Sequence, residues 1–177
     1  MISKWKKPDG QYQNLLKKIL KRGLYGPSQQ EMNCYTLFGA PSMIFNLEKD
    51  FPMITERKIS GFWKQSIGEI FAFVNGAQTL KELEEFGCKF WTSWGTEEKC
   101  KKRGLDTGDL GPGSYGAAFH NFPTQDGGTF NQFKHVIEQI RELPHLRTHF
   151  ISPWIPQYIG RGNNKKQKVV VAPCHGW

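Results

Sequence analysis

The feature that most constrains the fold is a helical spacing of apolar residues, which occurs in three stretches of the chain. Apolar residues at i, i+3 and i+4 spacing predict helices over 10–22, 61–74 and 130–143, and Gly or Pro soon follows each stretch. Lys residues fill the other face of the first stretch, as expected of a helix that packs one face on a core. Thr79 with Glu82 three residues later predicts a capping box on a further short helix.

The same periodicity predicts which faces of the two later helices are buried. The predicted buried residues are Ile67, Ile70, Phe71 and Val74 in the first of them, and Phe130, Phe133, Ile137 and Ile140 in the second.

Four short runs of β-branched and aromatic residues are typical of strands. They cover 34–38, 43–47, 149–154 and 169–172. These strands do not alternate with helices as βαβ units would. The order therefore predicts an α+β fold in which helices pack on a largely separate sheet.

The net charge and the cysteine content indicate which kind of partner the protein binds and in which compartment it occurs. The formal net charge of +8 over 177 residues suits a phosphate-bearing partner, and a basic solvated surface explains it equally well. No apolar run is long enough to span a bilayer, and the N-terminus lacks a secretory pattern. Four dispersed cysteines without a zinc spacing predict a reducing compartment, the cytoplasm, and no metal site.

Cys174 and Glu69 are the residues most suited to chemistry. Cys174 follows a β-branched run and Pro173, so its sulfur can face a cleft at the end of a strand, although a buried structural cysteine is the simpler interpretation. Its neighbour His175 points to the opposite face of a strand and is not expected to be its base. Glu69 precedes a nearly continuous apolar run. It is either at the solvated edge of a helix or held inward for proton transfer.

Three further features could contact a ligand. Phe90, Trp91 and Trp94 put three rings within five residues, which suits either a stacking wall or plain core. The glycine-rich stretch 109–116 is either a loop that lets backbone approach a ligand or a surface turn. Arg147, at the start of a predicted strand, could bind a phosphate through two parallel hydrogen bonds.

Taken in order, these stretches resemble the thymidylate synthase family along nearly the whole chain. The segments that carry the resemblance are Phe51-Pro52-Met53-Ile54-Thr55, Glu69-Ile70-Phe71-Ala72-Phe73-Val74-Asn75-Gly76 in the second helix, Phe90-Trp91 through Trp94, Asp109-Leu110-Gly111-Pro112 with Tyr115-Gly116, and Ala172-Pro173-Cys174-His175. The resemblance implies helices on a mixed sheet and assigns 1–177 to the N-terminal portion of a single domain, incomplete at its C-terminus. It also implies a homodimer, and a chain that is inactive alone.

The resemblance further implies an activity, its substrates and its site. A pyrimidine nucleoside monophosphate would be attacked by Cys174, with Glu69 and Tyr115 handling protons, and methylated with 5,10-methylenetetrahydrofolate, without a metal. Arg147 and His175 would bind the nucleotide. The residues implied on the folate side are Arg57, Phe90, Trp91 and Trp94.

The chain departs from the family pattern at several positions, and two phosphate-binding arginines of the family are missing. The family's loop arginine is Gln29 here, its second paired arginine is Thr148, and its Gln-Trp-Arg is Ala118-Phe119-His120. One residue is also inserted before Tyr115.

Three functions stay open from the sequence. The first is methylation of deoxyuridylate to thymidylate. The second is 5-hydroxymethylation of a pyrimidine nucleotide, in which water replaces the hydride. The third is a basic nucleic-acid-binding module without catalysis, for which the sequence holds no recognisable motif.

Overall fold

The computed structural model describes residues 10–28, 32–49, 51–53, 58–59, 61–160, 162 and 165–174. The chain divides into two compact units, Met1–Ser60 and Gly61–Trp177. Among the described helices, none combines the length and the apolarity needed to cross a bilayer. The predicted single domain over 1–177 stays a prediction.

The described residues of the first unit form one helix and one hairpin. Helix α1 spans Gly10–Arg22, as predicted. Strands β1 (Leu24–Pro27) and β2 (Asn33–Thr36) pair antiparallel, with the rings of Tyr25 and Tyr35 5.0 Å apart across the ladder.

The strand predicted over 43–47 is wrong, since the described residues there are irregular. The side-chain amide of Gln11 both donates to the carbonyl of Ile44 and accepts from its N–H, each at 2.9 Å. One side chain therefore satisfies the backbone groups that a neighbouring strand would have paired.

The second unit contains six helices and one small hairpin in its described residues. The helices are α2 (Trp63–Val74), α3 (Leu80–Glu85), α4 (Glu97–Lys101), α5 (Tyr115–His120), α6 (Gln132–Glu142) and α7 (Pro156–Ile159). Strands β3 (Phe122–Pro123) and β4 (Thr129–Phe130) pair antiparallel between α5 and α6. The capping box is confirmed, because Thr79 and Glu82 bond each other's backbone N–H groups.

The α+β class is confirmed, but the described part of the chain contains only these two antiparallel sheets. The mixed sheet is not seen there, and the strands predicted over 149–154 and 169–172 are wrong. Gln132, buried at the start of α6, pairs its amide with both backbone groups of Ser152. The segment 169–172 pairs with an irregular loop instead of a strand, since the N–H of Val170 donates to the carbonyl oxygen of Leu110 at 3.0 Å.

The predicted buried stripes of α2 and α6 also need correction. In α2 the four predicted residues are between 38% and 64% exposed, while Gly68, Ala72 and Phe73 are buried. Gly68 turns this face inward because it lets the carbonyl of Phe86 approach the helix backbone. Of the residues predicted to be buried over 130–143, Phe133 is partly buried, Ile137 and Ile140 are exposed on α6, and Phe130 is exposed in β4. The buried residue of α6 is Gln132.

The core of the second unit lies where α2, α3 and the segment after α3 meet. Its buried residues are Ala72, Phe73, Ala77, Leu83, Cys88, Trp91, Cys100, Leu110 and Val170. Residues of α2 and of the segment that leads to Cys174 both belong to this core. The core therefore positions these two parts of the candidate site relative to each other.

Candidate active site

A cavity of about 580 Å³ opens between α2, α5 and the segment that ends at Cys174. Three of its lining residues carry ionisable groups: Glu69, Tyr115 and Cys174. The remaining lining residues are Ile70, Phe73, Val74, Trp91, Phe119, Phe133, Val171 and Ala172. A mostly apolar cavity of this size with a few convergent polar groups is the usual form of a small-molecule site.

Helix α2 presents Glu69 to the cavity. Glu69, Ile70, Phe73 and Val74 have i, i+1, i+4 and i+5 spacing, so they share one helix face. The indole N–H of Trp91 donates a hydrogen bond to the Glu69 carboxylate, and the Trp91 ring meets Phe73 edge-on at 5.4 Å. This carboxylate therefore lies at a cavity wall, held by a ring that is only 8% exposed.

The loop before α5 places Tyr115. Gly111 has a φ of +89°, and a Cβ there would lie 2.4 Å from the carbonyl oxygen of Lys168, so only glycine fits. Two loop contacts, Val170 N–H to Leu110 O at 3.0 Å and Gly113 N–H to Lys168 O at 3.1 Å, align this loop with the segment leading to Cys174. Tyr115 begins α5 beside that segment.

Cys174 meets Tyr115 directly. The backbone N–H of Cys174 donates to the phenol oxygen of Tyr115 at 2.7 Å. The Cys174 thiol is exposed and lies 4.0 Å from the carbonyl oxygen of Ala172. A thiol, a phenol and a carboxylate thus line one cavity.

The other described cysteines near this region are unlike Cys174. Cys88 and Cys100 are buried, with 1% and 0% exposure. Burial raises the pKa of the Cys88 thiol, and the negative charge of Glu69 raises it further, against a hydrogen bond from the backbone of Phe90. A reactive thiolate is therefore disfavoured at Cys88.

Three further sequence-predicted site residues that the structure describes, Phe90, Trp94 and Arg147, are not part of this cavity lining. Phe90 packs against the core, with its ring 6.1 Å from that of Phe62. Trp94 is 38% exposed beneath the ammonium of Lys99, which lies 4.4 Å from the ring centroid. Arg147 is exposed. Arg57 and His175 lie outside the described residues.

Sequence reasoning did not assign seven aromatic or aliphatic lining residues to the site: Ile70, Phe73, Val74, Phe119, Phe133, Val171 and Ala172. The i, i+4 relation to Glu69 could have indicated Phe73. Phe133 was predicted as core, and its ring meets that of Phe119 edge-on at 5.0 Å. Within the described part of the chain, no three His, Cys, Asp or Glu side chains gather as they would around a metal ion.

Comparison with protein families identifies the chain. The model of the thymidylate synthase family matches residues 10–177. The chain belongs to the thymidylate synthase family. Members of this family act on nucleotide and folate substrates, use methylenetetrahydrofolate as the co-substrate and carry out a methyltransferase type of chemistry.

Proposed function

We propose that this protein methylates deoxyuridylate to thymidylate with methylenetetrahydrofolate, and that Cys174 is the nucleophile. The observation that carries the proposal is the convergence of Cys174, Tyr115 and Glu69 on one cavity, with Tyr115 bonded to the Cys174 backbone. These are the three groups that covalent activation of a pyrimidine requires: a thiol to attack, and two groups to move protons.

The reaction begins at the thiolate of Cys174. Its sulfur bonds to carbon 6 of the pyrimidine, and the electron pair of the C5–C6 double bond moves to the oxygen on carbon 4. Carbon 5 of the resulting enolate then bonds the one-carbon unit. One bond from this unit to a folate nitrogen breaks when carbon 5 attacks it, and the second breaks when carbon 5 loses its proton, which leaves a methylene group double-bonded to carbon 5. Hydride addition to that methylene carbon returns an electron pair to the ring, re-forms the C5–C6 double bond and expels the sulfur from carbon 6. Cys174 suits this role better than Cys88, because its thiol is exposed at the cavity.

Tyr115 and Glu69 handle protons in this proposal. Tyr115 assists removal of the proton from carbon 5, since its phenol lies beside the backbone of the attacking residue. Glu69 exchanges protons with the ring carbonyl and with the folate nitrogen. The hydrogen bond from Trp91 fixes the direction of the Glu69 carboxylate before any ligand binds.

The lining residues fit a folate ring. Bound methylenetetrahydrofolate supplies the one-carbon unit and, in methylation, the hydride that converts it to a methyl group. Trp91 and Phe73 provide aromatic surface for a flat ring, and Glu69 offers a carboxylate beside it. Phe90, Trp94 and Arg57 stay proposed folate contacts, and Arg147 and His175 stay proposed nucleotide contacts.

The apolar lining favours methylation over hydroxymethylation. Water must reach the new carbon for a hydroxymethyl product to form, whereas hydride transfer needs water to be kept away. Eight of the eleven lining residues are aliphatic or aromatic without a carboxyl, phenol or thiol group, which disfavours ordered water.

The product decides between the two reactions. The full-length protein is incubated with deoxyuridylate and methylenetetrahydrofolate, and the nucleotide mass and dihydrofolate are both measured. Thymidylate with an equal amount of dihydrofolate supports the proposal. A hydroxymethyl nucleotide without dihydrofolate moves the protein to the alternative reaction. Salt-sensitive retention on nucleic acid without nucleotide binding would contradict both.

A further inference from the structure

His120 lies at a junction of three helices and uses both of its ring nitrogens there. It is the last residue of α5, Val74 is the last of α2, and Asn131 caps the start of α6. His120 Nε2 lies 2.7 Å from the carbonyl oxygen of Val74, and Nδ1 lies 3.0 Å from the amide nitrogen of Asn131. One imidazole therefore joins the ends of two helices to the beginning of a third.

The partners of His120 define its tautomer. The carbonyl of Val74 can only accept, so Nε2 carries a proton. The side-chain oxygen of Asn131 is engaged by the backbone N–H of Lys134 at 2.8 Å, so its NH₂ group faces His120 and can only donate. Nδ1 must then accept, and the ring is neutral with its proton on Nε2. Protonation of Nδ1, or rotation of the Asn131 amide, would remove one of these hydrogen bonds.

Packing holds the ring in this position. The rings of His120 and Phe133 are nearly parallel, at 19° and 5.9 Å between centroids. A Cβ on Gly76, two residues after the end of α2, would lie 3.0 Å from His120 Cγ, so the turn after α2 lies tightly against the imidazole. Phe133 in turn lines the active-site cavity, although His120 does not.

The two helices whose C-terminal ends His120 joins, α2 and α5, carry the two residues proposed to transfer protons. Glu69 lies five residues before Val74 in α2, and Tyr115 lies five residues before His120 in α5. Because a helix moves largely as a rigid unit, the bond from His120 to Val74 restrains Glu69 relative to Tyr115. The family pattern has an arginine here, which cannot accept a hydrogen bond, so the contact with Asn131 depends on the histidine of this chain.

We propose that His120, as the neutral Nε2–H tautomer, is a positioning residue that sets the geometry of Glu69 and Tyr115 without touching the ligand. The kinetic part of this proposal rests on the proposed function, while the tautomer and the junction do not.

The tautomer is tested first, by long-range ¹H–¹⁵N correlation of histidine-labelled protein at neutral pH. We expect His120 to show a protonated Nε2 and an unprotonated Nδ1. A proton on Nδ1, alone or with Nε2, would overturn the assignment. This measurement needs no substrate, so it stands even if the proposed reaction fails.

The junction is tested by His120→Phe, which keeps a ring against Phe133 and removes both hydrogen bonds. Amide hydrogen exchange should quicken both at Asn75, after α2, and at Lys134, in the first turn of α6. His135→Phe, an exposed histidine on α6 outside both contacts, is the matched control and should change neither. Unchanged exchange at both amides in folded His120→Phe would overturn the junction, whatever the activity.

Positioning is tested by steady-state kinetics of the full-length protein. His120→Phe should lower kcat on the order of ten- to hundredfold, as small misplacements of catalytic groups do, and leave the nucleotide KM nearly unchanged. His120→Gln keeps a donor for Val74 and should recover part of kcat. A wild-type kcat in folded His120→Phe would overturn the positioning role. If that variant does not fold, His120→Leu, which also removes both hydrogen bonds, takes its place in the same comparison with His120→Gln.

Discussion

The phenol oxygen of Tyr115 accepts a hydrogen bond from the backbone N–H of Cys174 at 2.7 Å, across 59 residues of sequence. The contact exists because the loop before α5 pairs with the segment before Cys174 through Leu110–Val170 and Gly113–Lys168. The phenol and the thiol therefore occupy one wall of the cavity before substrate binds.

Tyr115→Phe should impair proton removal from carbon 5 more than nucleotide binding. The variant keeps the ring, which lies 5.1 Å from Phe73, and loses only the hydroxyl. We expect a fall of about 10²- to 10⁴-fold in tritium release from carbon 5, the range of general acid–base effects, with nucleotide affinity nearly unchanged. Phe119→Leu, a cavity variant without a polar group to lose, is the comparison. An equal loss in both variants would indicate that packing matters and the hydroxyl does not.

Glu69→Gln separates proton transfer from geometry. Glutamine can still accept from the Trp91 indole, so the wall keeps its shape, but it cannot carry the proton. Turnover should fall by orders of magnitude while nucleotide binding, measured by calorimetry, stays near wild type. Trp91→Phe removes the donor and leaves the carboxylate, and it should retain more activity than Glu69→Gln. Undiminished turnover in Glu69→Gln would remove this residue from the mechanism.

The cysteines should differ in their labelling by a thiol reagent. Cys34 and Cys174 are exposed and should react rapidly, whereas Cys88 and Cys100 are buried and should react only on unfolding. The raised pKa of the Cys88 thiol delays its labelling further, since less thiolate is present at neutral pH.

Deoxyuridylate should protect Cys174 from the reagent and leave Cys34 unprotected, which makes Cys34 the internal control. Mass spectrometry of the labelled peptides measures both rates. Equal rates at Cys174 with and without nucleotide would place the substrate away from this thiol.

Gly68→Ala should destabilise the protein. An added Cβ would lie 2.2 Å from the carbonyl oxygen of Phe86, a backbone atom that cannot move without shifting the turn after α3. We expect a loss of about 1–3 kcal/mol in the free energy of unfolding by urea, as for overpacked cores. Gly61→Ala is the matched control, because an added Cβ there meets no atom within 4 Å. Similar stability in both variants would contradict the described packing of α2.

Sequence periodicity located the three long helices, because α-helices are local structures, but it did not predict the short helices α4, α5 and α7. The first helix was predicted at its observed bounds, and the capping box at Thr79 and Glu82 was predicted from their spacing alone. Strands failed where a side chain replaced the neighbouring strand: Gln11 pairs with Ile44, and Gln132 pairs with Ser152. No local pattern distinguishes a glutamine that pairs with backbone from one that faces solvent.

The site was predicted in part for a related reason. The resemblance to the family indicated Cys174, Glu69, Tyr115 and Trp91, and these residues line one cavity. Periodicity alone put the wrong face of α2 inward, because it counts apolar residues and does not register that Gly68 permits close backbone approach.

The central claim is that Cys174 is the nucleophile, and tritium release from carbon 5 of labelled deoxyuridylate tests it most directly. Release requires that carbon 6 be attacked first, so it reports the covalent step itself. In the full-length protein, Cys174→Ser should reduce release to background, while Cys88→Ser should retain it. Normal release from Cys174→Ser together with loss of release from folded Cys88→Ser would contradict the account.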